Sequence, residues 1–145
     1  MIKRKASAHW SGGIKEGKGS ISTGSGALSD QPYGFNTRFE DKPGTNPEEL
    51  IGAAHAGCFT MALSKVITDQ TGKEAEALET KATVYMDKEG DGFAVKRVHL
   101  ELTGRVAGID EEAFVAAAEA AKANCPISKL LEGGAEITLE TTFEG

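Results

Sequence analysis

The sequence has few cysteines and no long basic run, and both absences restrict what the protein can do. Only two cysteines, Cys58 and Cys125, occur among the 145 residues, and their separation matches neither a CxxC pair nor a zinc-binding spacing. Acidic residues outnumber basic ones by 22 to 16, which gives a net charge of -6. Nucleic acids and anionic membranes bind positively charged proteins, so we expect neither as a partner. From the cysteine spacing we expect no metal site, and we expect no cofactor.

The sequence also lacks segments that would direct it to or through a membrane. No apolar run approaches the length of about 20 residues that a bilayer-spanning helix needs. The amino terminus, MIKRKASAHW, carries charge but has neither the apolar stretch nor the cleavage site of a secretory signal. We therefore expect a soluble, cytoplasmic protein, in which reducing conditions disfavour a static structural disulfide.

The pattern along the chain predicts one mixed domain over residues 1–145. A length of 145 residues with 39% apolar residues is sufficient for one hydrophobic core. Period-two alternation predicts strands near residues 3–10, 20–22, 78–87, 93–102 and 135–143, with a bulge near Lys96; residues 31–41 fit a strand or an ordered loop. Capping and turn signals predict helices over residues 47–69, 110–124 and 127–131. This order predicts an α+β fold with antiparallel sheets packed around a buried central helix.

The first of these helices is unusually apolar. Asn46 is suited to the N-cap, Pro47 to the first helical position and Glu49 to the third position of a capping box. Between Ile51 and Leu63 only His55 and Thr60 have polar side chains, so no clear solvent face is present. We expect this helix to be buried nearly all round, and because we do not expect one chain of this size to cover it, the sequence predicts a homodimer.

The two cysteines admit several interpretations. Both could be inert core thiols, Cys58 on the buried helix and Cys125 at a helix junction before Pro126. His55, three residues before Cys58, could form half of a metal site or the base of a cysteine hydrolase, but neither a full ligand set nor a third orienting group is visible. We expect His55 to be a satisfied core residue rather than a catalytic one.

A redox role for Cys58 makes a further demand on the chain. The reactive form is the thiolate, yet Cys58 lies about three turns into its helix, beyond the reach of the helix dipole, and burial alone would raise its pKa. A cation must therefore come from elsewhere, and arginine is best suited because it stays charged when desolvated. Glu48, in the first helical turn, could hold the arginine that acts on Cys58. Composition does not choose among the four candidates, which are Arg4, Arg38, Arg97 and Arg105.

Three segments together resemble a known family. The run QPYGFNTRFE is followed by GTNPEELIGAAHAGCFTMALS and, much later, by NCPISKLL; these resemble the osmotically inducible protein C (OsmC) family, within the wider group that includes the organic hydroperoxide resistance proteins. The likeness extends over almost the whole chain, and PYGFNTRFE resembles the OsmC branch in particular. The resemblance implies an intertwined OsmC-like homodimer with active sites at the subunit interface.

The same resemblance implies a thiol peroxidase for organic hydroperoxides and hydrogen peroxide. Cys58 matches the family's peroxidatic cysteine and Cys125 its resolving cysteine, which implies an intramolecular disulfide between them. Arg38 matches the active-site arginine and Glu48 the glutamate that binds it. The implied partners are a hydroperoxide substrate and an external dithiol reductant of the lipoyl type. A non-enzymatic module that binds a ligand or partner through the same interface, and a cysteine hydrolase, remain the alternatives.

Overall fold

The structure, a computed structural model, describes residues 1–145 and contains six strands and four helices. The chain divides into two compact units, residues 1–50 and residues 51–145, which are described separately below. In chain order the elements are β1 (Ala6–Ser11), β2 (Lys18–Thr23), β3 (Gln31–Tyr33), α1 (Phe35–Phe39), α2 (Pro47–Thr71), β4 (Ala77–Glu89), β5 (Gly92–Arg105), α3 (Glu111–Asn124), α4 (Pro126–Leu131) and β6 (Glu136–Phe143).

Residues 1–50 form an antiparallel sheet in the order β1-β2-β3. On the middle strand Gly19 lies opposite both Trp10 and Tyr33, whose ring centroids are 5.6 Å apart. A Cβ atom on Gly19 would lie 2.5 Å from Tyr33 Cε1 and 2.7 Å from Trp10 Cε3, so only glycine leaves room for both rings. The strands predicted near residues 3–10 and 20–22 are confirmed, since they correspond to β1 and β2.

Residues 31–41, for which the sequence fitted a strand or an ordered loop, contain both β3 and a short helix, α1. The Thr37 hydroxyl accepts a hydrogen bond from the Gly34 N–H at 2.9 Å and donates one to the Gly34 carbonyl at 3.1 Å. One side chain thus closes the first turn of α1. A helix of five residues is too short to produce a hydrophobic period, which explains why the sequence pattern did not predict it.

Asn46 joins the end of α1 to the start of α2. Its Oδ1 accepts from the backbone N–H of Glu49 at 2.8 Å, which confirms the predicted N-cap. Its Nδ2 donates to the carbonyl of Thr37 at 3.2 Å. Because Asn46 is buried, both bonds are protected from water, and this single side chain fixes α1 against the first turn of α2.

Residues 51–145 form the second sheet, in the order β4-β5-β6. The hairpin of β4 and β5 is antiparallel, and its register passes from Tyr85 opposite Arg97 to Met86 opposite Val95. Lys96 is left out of the register, so the bulge lies where the sequence predicted it. The prediction of antiparallel sheets is wrong for β6, which pairs with β5 in parallel. The helices α3 and α4 lie between these two strands in the chain and provide the long crossover that a parallel pair requires.

All of the fully buried apolar side chains lie in residues 51–145. The predicted N-cap of α3 is confirmed, since Asp110 Oδ1 accepts from the Ala113 N–H at 2.8 Å. A Cβ atom on Gly104 of β5 would lie 2.3 Å from Phe114 Cζ, so this glycine admits the Phe114 ring to the core. The core consists of Phe59, Leu63, Ile67, Val98, Leu100, Leu102, Val106, Phe114, Ala117, Ala118, Ala121 and Cys125.

Within the single chain the helix α2 is buried along one face only, so the burial nearly all round that the sequence predicts would require a second copy. Its buried residues recur every three to four positions: Gly52, His55, Phe59, Leu63 and Ile67. The opposite side is exposed, and Met61 there keeps 80% of its surface. By length and composition alone α2 could cross a membrane, contrary to the expectation from apolar runs, although the core helices of soluble proteins meet the same criterion.

Candidate active site

The two cysteines meet within residues 51–145. Cys58 lies on α2 and is half-buried, Cys125 is fully buried between α3 and α4, and both are free thiols. Cys58 packs against the core that contains Cys125, and the two thiols are near enough for Cys125 to raise the pKa of Cys58. The fold therefore brings together two sulfur atoms from residues that are far apart in the sequence.

Local backbone geometry explains the position of Cys125. The residue before a proline is excluded from the helical region, and Cys125 accordingly has φ -64° and ψ 139°, between the last residue of α3 and Pro126. Its N–H still donates to the Ala121 carbonyl at 3.0 Å, while its Sγ accepts from the Ser128 N–H at 3.3 Å. Cys125 thus ends one helix and caps the next, as the predicted helix junction requires.

The surroundings of Cys58 within this unit favour the neutral thiol. Burial is the largest influence and raises the pKa of Cys58. A hydrogen bond with the Ile127 backbone acts in the opposite direction and lowers the pKa, whereas the neighbouring Cys125 raises it. The net shift is upward, in the direction that the sequence predicted for burial alone, so a thiolate at Cys58 needs additional positive charge.

Arg38 and Glu48 form an ion pair within residues 1–50. Arg38 Nε and Nη2 lie 2.9 Å and 2.8 Å from the same carboxylate oxygen, Glu48 Oε1. The Glu48 side chain is only 13% exposed, against 39% for Arg38, and its other oxygen, Oε2, is buried without a hydrogen-bond partner. The carboxylate is therefore fixed while the guanidinium keeps an exposed edge. The sequence predicted that Glu48 could hold an arginine, and the structure assigns Arg38 to it.

The other three arginines have different partners. Arg97 packs over the Tyr85 ring with its Cζ 4.1 Å from the centroid, and Arg105 Nη2 lies 3.6 Å from the exposed Glu144 carboxylate. Arg4 is exposed and donates to the carbonyl of Lys3. Among the four candidates, Arg38 alone is held by a largely buried carboxylate.

Arg38 also borders an aromatic hollow of about 290 Å³ within residues 1–50. Its guanidinium carbon lies 5.2 Å from the centroid of the Phe39 ring. Apolar walls with one fixed cation are suited to a small molecule that has an organic part and a polar end. The hollow is lined by Trp10, Ile14, Tyr33, Gly34, Phe35, Arg38 and Phe39.

His55 is fully buried, as expected of a core histidine, but it has a specific polar neighbour. Its Nε2 lies 2.8 Å from the hydroxyl of Ser128, and this hydroxyl in turn accepts from Cys125 Sγ at 3.1 Å. His55 Nδ1 is buried and has no hydrogen-bond partner, so the residue is only half satisfied. Burial lowers the pKa of His55, so its ring is neutral near pH 7.

One group of possible metal ligands lies away from the cysteines. Ligand atoms of His99, Glu101 and Glu140, on β5 and β6, are within 4.8 Å of one another. Both carboxylates are exposed, and His99 Nδ1 is already 2.6 Å from the Thr138 hydroxyl. Exposed carboxylates commonly gather on sheet surfaces without an ion, so this group does not define a metal centre.

Comparison with known proteins assigns the family. The model of the OsmC-like protein family matches residues 39–140. The chain belongs to the OsmC-like protein family. It is 52% identical over 139 residues to "Peroxiredoxin OsmC" of Escherichia coli strain K12, covering 96% of this chain and 95% of that protein. It is 30% identical over 122 residues to "Organic hydroperoxide resistance protein OhrB" of Bacillus subtilis strain 168, covering 84% of this chain and 88% of the relative.

Solved structures of the OsmC-like family have the same fold. The crystal structure of OhrB from Bacillus subtilis matches with a TM-score of 0.73 at 28% identity, covering 97% of this chain and 98% of that one. An organic hydroperoxide resistance protein from Elizabethkingia anophelis matches with a TM-score of 0.73 at 24% identity, covering 99% of each chain. The mixed fold with two three-stranded sheets and a central helix is thus shared by this family.

Two parts of the site were not predicted from the sequence of the chain. The aromatic hollow combines residues of β1, the following turn, β3 and α1, and the concentration of aromatic residues in YGFNTRF was its only local signal. The contact of Ser128 with both Cys125 and His55 was also missed. A serine three residues after a helix-capping cysteine could have indicated the first contact, whereas the second joins residues 73 positions apart.

Proposed function

We propose that the protein is a cysteine-based peroxidase that reduces organic hydroperoxides and hydrogen peroxide. The observation that carries this proposal is the proximity of two free thiols, since Cys58 packs against the core that contains Cys125 and Cys125 raises its pKa. One is half-buried and can meet a small substrate, while the other is fully buried beside it. The relatives named peroxiredoxin and organic hydroperoxide resistance protein support the same chemistry.

The first step is attack of the Cys58 thiolate on the distal oxygen of the hydroperoxide. An S–O bond forms, the O–O bond breaks, and the alkoxide leaves and takes a proton to become an alcohol. Arg38 stabilises the thiolate and the charge that develops on the leaving oxygen. Glu48 holds the guanidinium in position through its two short contacts to Oε1. Arg38 therefore supplies the positive charge that the immediate surroundings of Cys58 do not.

The second step removes the sulfenic acid from Cys58. Cys125 attacks the oxidised sulfur, an S–S bond forms, and the hydroxyl group leaves as water. The disulfide protects Cys58 from further oxidation to the sulfinic state. An external dithiol of the lipoyl type then donates two electrons, which reduces the disulfide to two thiols and oxidises the dithiol. A cytoplasmic location fits this cycle, because the reductant must be present in a reducing compartment.

The organic part of the substrate lies in the aromatic hollow beside Arg38. Five apolar or aromatic side chains line it, and an apolar group gains free energy on leaving water for such walls. Hydrogen peroxide has no group to place there. Alkyl and aryl hydroperoxides are therefore the better substrates.

The functional form is an intertwined homodimer with its active sites at the subunit interface. Two features of the single chain support this arrangement. Residues 1–50 contain no fully buried apolar side chain, and α2 leaves a face with small residues and Met61 exposed. A second copy that covered these surfaces would complete both units. Sedimentation of the protein across a dilution series tests the dimer, and a monomer at all concentrations would contradict it.

Steady-state turnover tests the proposed activity. Cumene hydroperoxide is supplied to the reduced protein with excess dihydrolipoamide, and its consumption is followed for wild type, Cys58→Ser and Cys125→Ser. We expect many turnovers for wild type, none for Cys58→Ser, and about one hydroperoxide per chain for Cys125→Ser, since its sulfenic acid is not resolved. Full activity of Cys58→Ser would overturn the proposal, and full turnover of Cys125→Ser would remove the resolving role.

A further inference from the structure

Ser128 connects the buried thiol of Cys125 to a buried base. From this geometry we propose that Ser128 and His55 form a proton relay that takes the proton from Cys125 as it attacks oxidised Cys58. The inference rests on the proposed function, because it concerns the second step of that reaction. It assigns a role to two residues that otherwise only fill the core.

Three hydrogen bonds define the relay. Cys125 Sγ donates to Ser128 Oγ at 3.1 Å, and the Ser128 N–H donates back to the same sulfur at 3.3 Å. The Ser128 hydroxyl proton is then free to point to His55 Nε2, at 2.8 Å. Since both Ser128 and His55 are buried, at 3% and 0% exposure, water does not compete for these bonds.

The imidazole of His55 is in its neutral form, which can accept a proton at Nε2. If Nε2 accepts from Ser128, the ring proton is on Nδ1, the atom that has no hydrogen-bond partner in the structure. Burial lowers the pKa of His55, and no charged group contributes to that shift. The ring is therefore neutral over a wider pH range than an ordinary histidine, and Nε2 keeps its lone pair in mildly acidic solution.

Proton and electron balance follow from the two-residue path. The Cys125 proton passes to Ser128 Oγ while the Ser128 proton passes to His55 Nε2. The Cys125 thiolate attacks the sulfur of Cys58 sulfenic acid, the S–S bond forms, and the S–O bond breaks. The departing hydroxide takes a proton from solvent and becomes water, and the imidazolium of His55 gives its proton back through Ser128, which lines a surface hollow, to solvent. Cys125 is oxidised and the sulfenic sulfur is reduced, so no other redox partner is needed.

Ser128 also has a path to the surface. It lines a hollow of about 290 Å³ whose charged members are Lys122 of α3 and Glu132, which follows α4. The strand β6 contributes Ile137 to this hollow and no titratable group. On α2 the titratable groups are His55, which contacts Ser128, and Cys58, whose pKa is raised by Cys125. The middle member of the relay, Ser128, therefore lines a surface hollow, whereas His55 is reached only through it.

A single-turnover experiment separates the two steps. Reduced protein is mixed with one equivalent of cumene hydroperoxide without dithiol, quenched with a thiol-alkylating reagent, and the Cys58–Cys125 disulfide is quantified by mass spectrometry over time. The measurement is repeated across the pH range in which imidazoles and thiols titrate. The variants are Ser128→Ala, Ser128→Thr and His55→Gln. Thr138→Val is the matched control, because it breaks the other histidine–hydroxyl pair, His99 with Thr138, which has no contact to a cysteine.

We expect disulfide formation to slow about 100-fold in Ser128→Ala and His55→Gln, the usual loss when a positioned acid-base group is removed. In Ser128→Ala the rate should also depend more strongly on pH than in wild type, because the proton of Cys125 then has no buried acceptor. In wild type the rate of disulfide formation should not change as the pH is lowered, until the pH is below the pKa of an ordinary histidine. Ser128→Thr should recover most of the rate, and Thr138→Val should match wild type.

The outcomes distinguish the relay from the function on which it rests. If wild type forms the disulfide and Ser128→Ala does so at the same rate and with the same pH dependence, the relay is wrong and the peroxidase stands. If His55→Gln fails to fold, the comparison of Ser128→Ala with Ser128→Thr still decides. If wild type loses no thiol to the hydroperoxide, the proposed function is wrong and the relay falls with it.

Discussion

Residues 1–50 and residues 51–145 are stabilised in different ways. The first unit contains a three-stranded sheet but no fully buried apolar side chain; its buried side chains are those of Thr37 and Asn46, which form hydrogen bonds. The second unit buries all twelve core residues. The first therefore presents a positioned cation, Arg38, on a unit without a core of its own, and the second holds the two thiols in a packed interior.

From this difference we expect the first unit to depend more on a partner than the second. A sheet without a buried apolar face is marginal in water, because the lost chain entropy is not offset by hydrophobic burial. The second unit, by contrast, has its own core. In the proposed dimer a second copy supplies the missing cover, so the positioning of the cation depends on assembly more than the pairing of the thiols does.

The largest effect is expected for the core of residues 51–145. Phe114→Ala should lower the free energy of unfolding by about 3–5 kcal/mol, because it removes a fully buried ring and leaves a cavity. Urea unfolding followed by circular dichroism measures the change. Val115→Ala, an exposed neighbour on α3, is the control and should change stability little. Equal losses for the two variants would contradict the assigned core.

Arg38→Ala should slow the reaction of reduced protein with cumene hydroperoxide by about 10²–10³-fold at neutral pH. Burial already raises the pKa of Cys58, and without the guanidinium it should rise further, so the rate should recover as the pH increases. Stopped-flow kinetics across pH measures both effects. Arg105→Ala removes an equal charge from a more exposed ion pair and should leave the profile unchanged. An unchanged profile in Arg38→Ala would remove Arg38 from the mechanism.

The link between α1 and α2 should affect stability and activity separately. Asn46→Ala removes both hydrogen bonds and should cost about 1–2 kcal/mol of unfolding free energy together with activity, since α1 carries Arg38. Asn46→Asp keeps the oxygen that caps α2 but loses the donor to Thr37, so it should retain most of the stability and still lose activity. Loss of stability without loss of activity in both variants would show that Asn46 does not position Arg38.

The smallest effect is expected at Gly57. A Cβ atom there meets no atom within 4 Å, so Gly57→Ala should gain up to about 1 kcal/mol from helix propensity. The melting temperature of the assembled protein measures this gain. Because Gly57 lies on the exposed side of α2, the result also tests how closely a second copy approaches. A marked destabilisation would show that the partner packs directly against this glycine.

The sequence predicted the parts of the fold that depend on local chemistry. Asn46 and Asp110 cap their helices as expected, and Lys96 lies in the predicted bulge, since each depends on neighbouring residues only. The parallel pairing of β6 was not predicted, because strand direction depends on the crossover and not on alternation. The helix α1 was missed because five residues give no period.

The candidate site divides in the same way. The site residues Cys58, Cys125, Arg38 and Glu48 were predicted from the resemblance to a family, whereas composition alone left four arginines open. The contact of His55 with Ser128 joins residues that no local pattern connects, and it depends on the packing of α4 against α2. Long-range contacts of this kind require the tertiary structure.

A thiol count after a single addition of hydroperoxide decides whether the protein is a cysteine peroxidase. Reduced wild-type protein receives one equivalent of cumene hydroperoxide without dithiol, and the remaining thiols and the intact mass are measured. We expect the hydroperoxide to be consumed, both thiols to disappear, and peptide mapping to find Cys58 joined to Cys125. Unconsumed hydroperoxide with both thiols intact would contradict the assignment of a cysteine peroxidase.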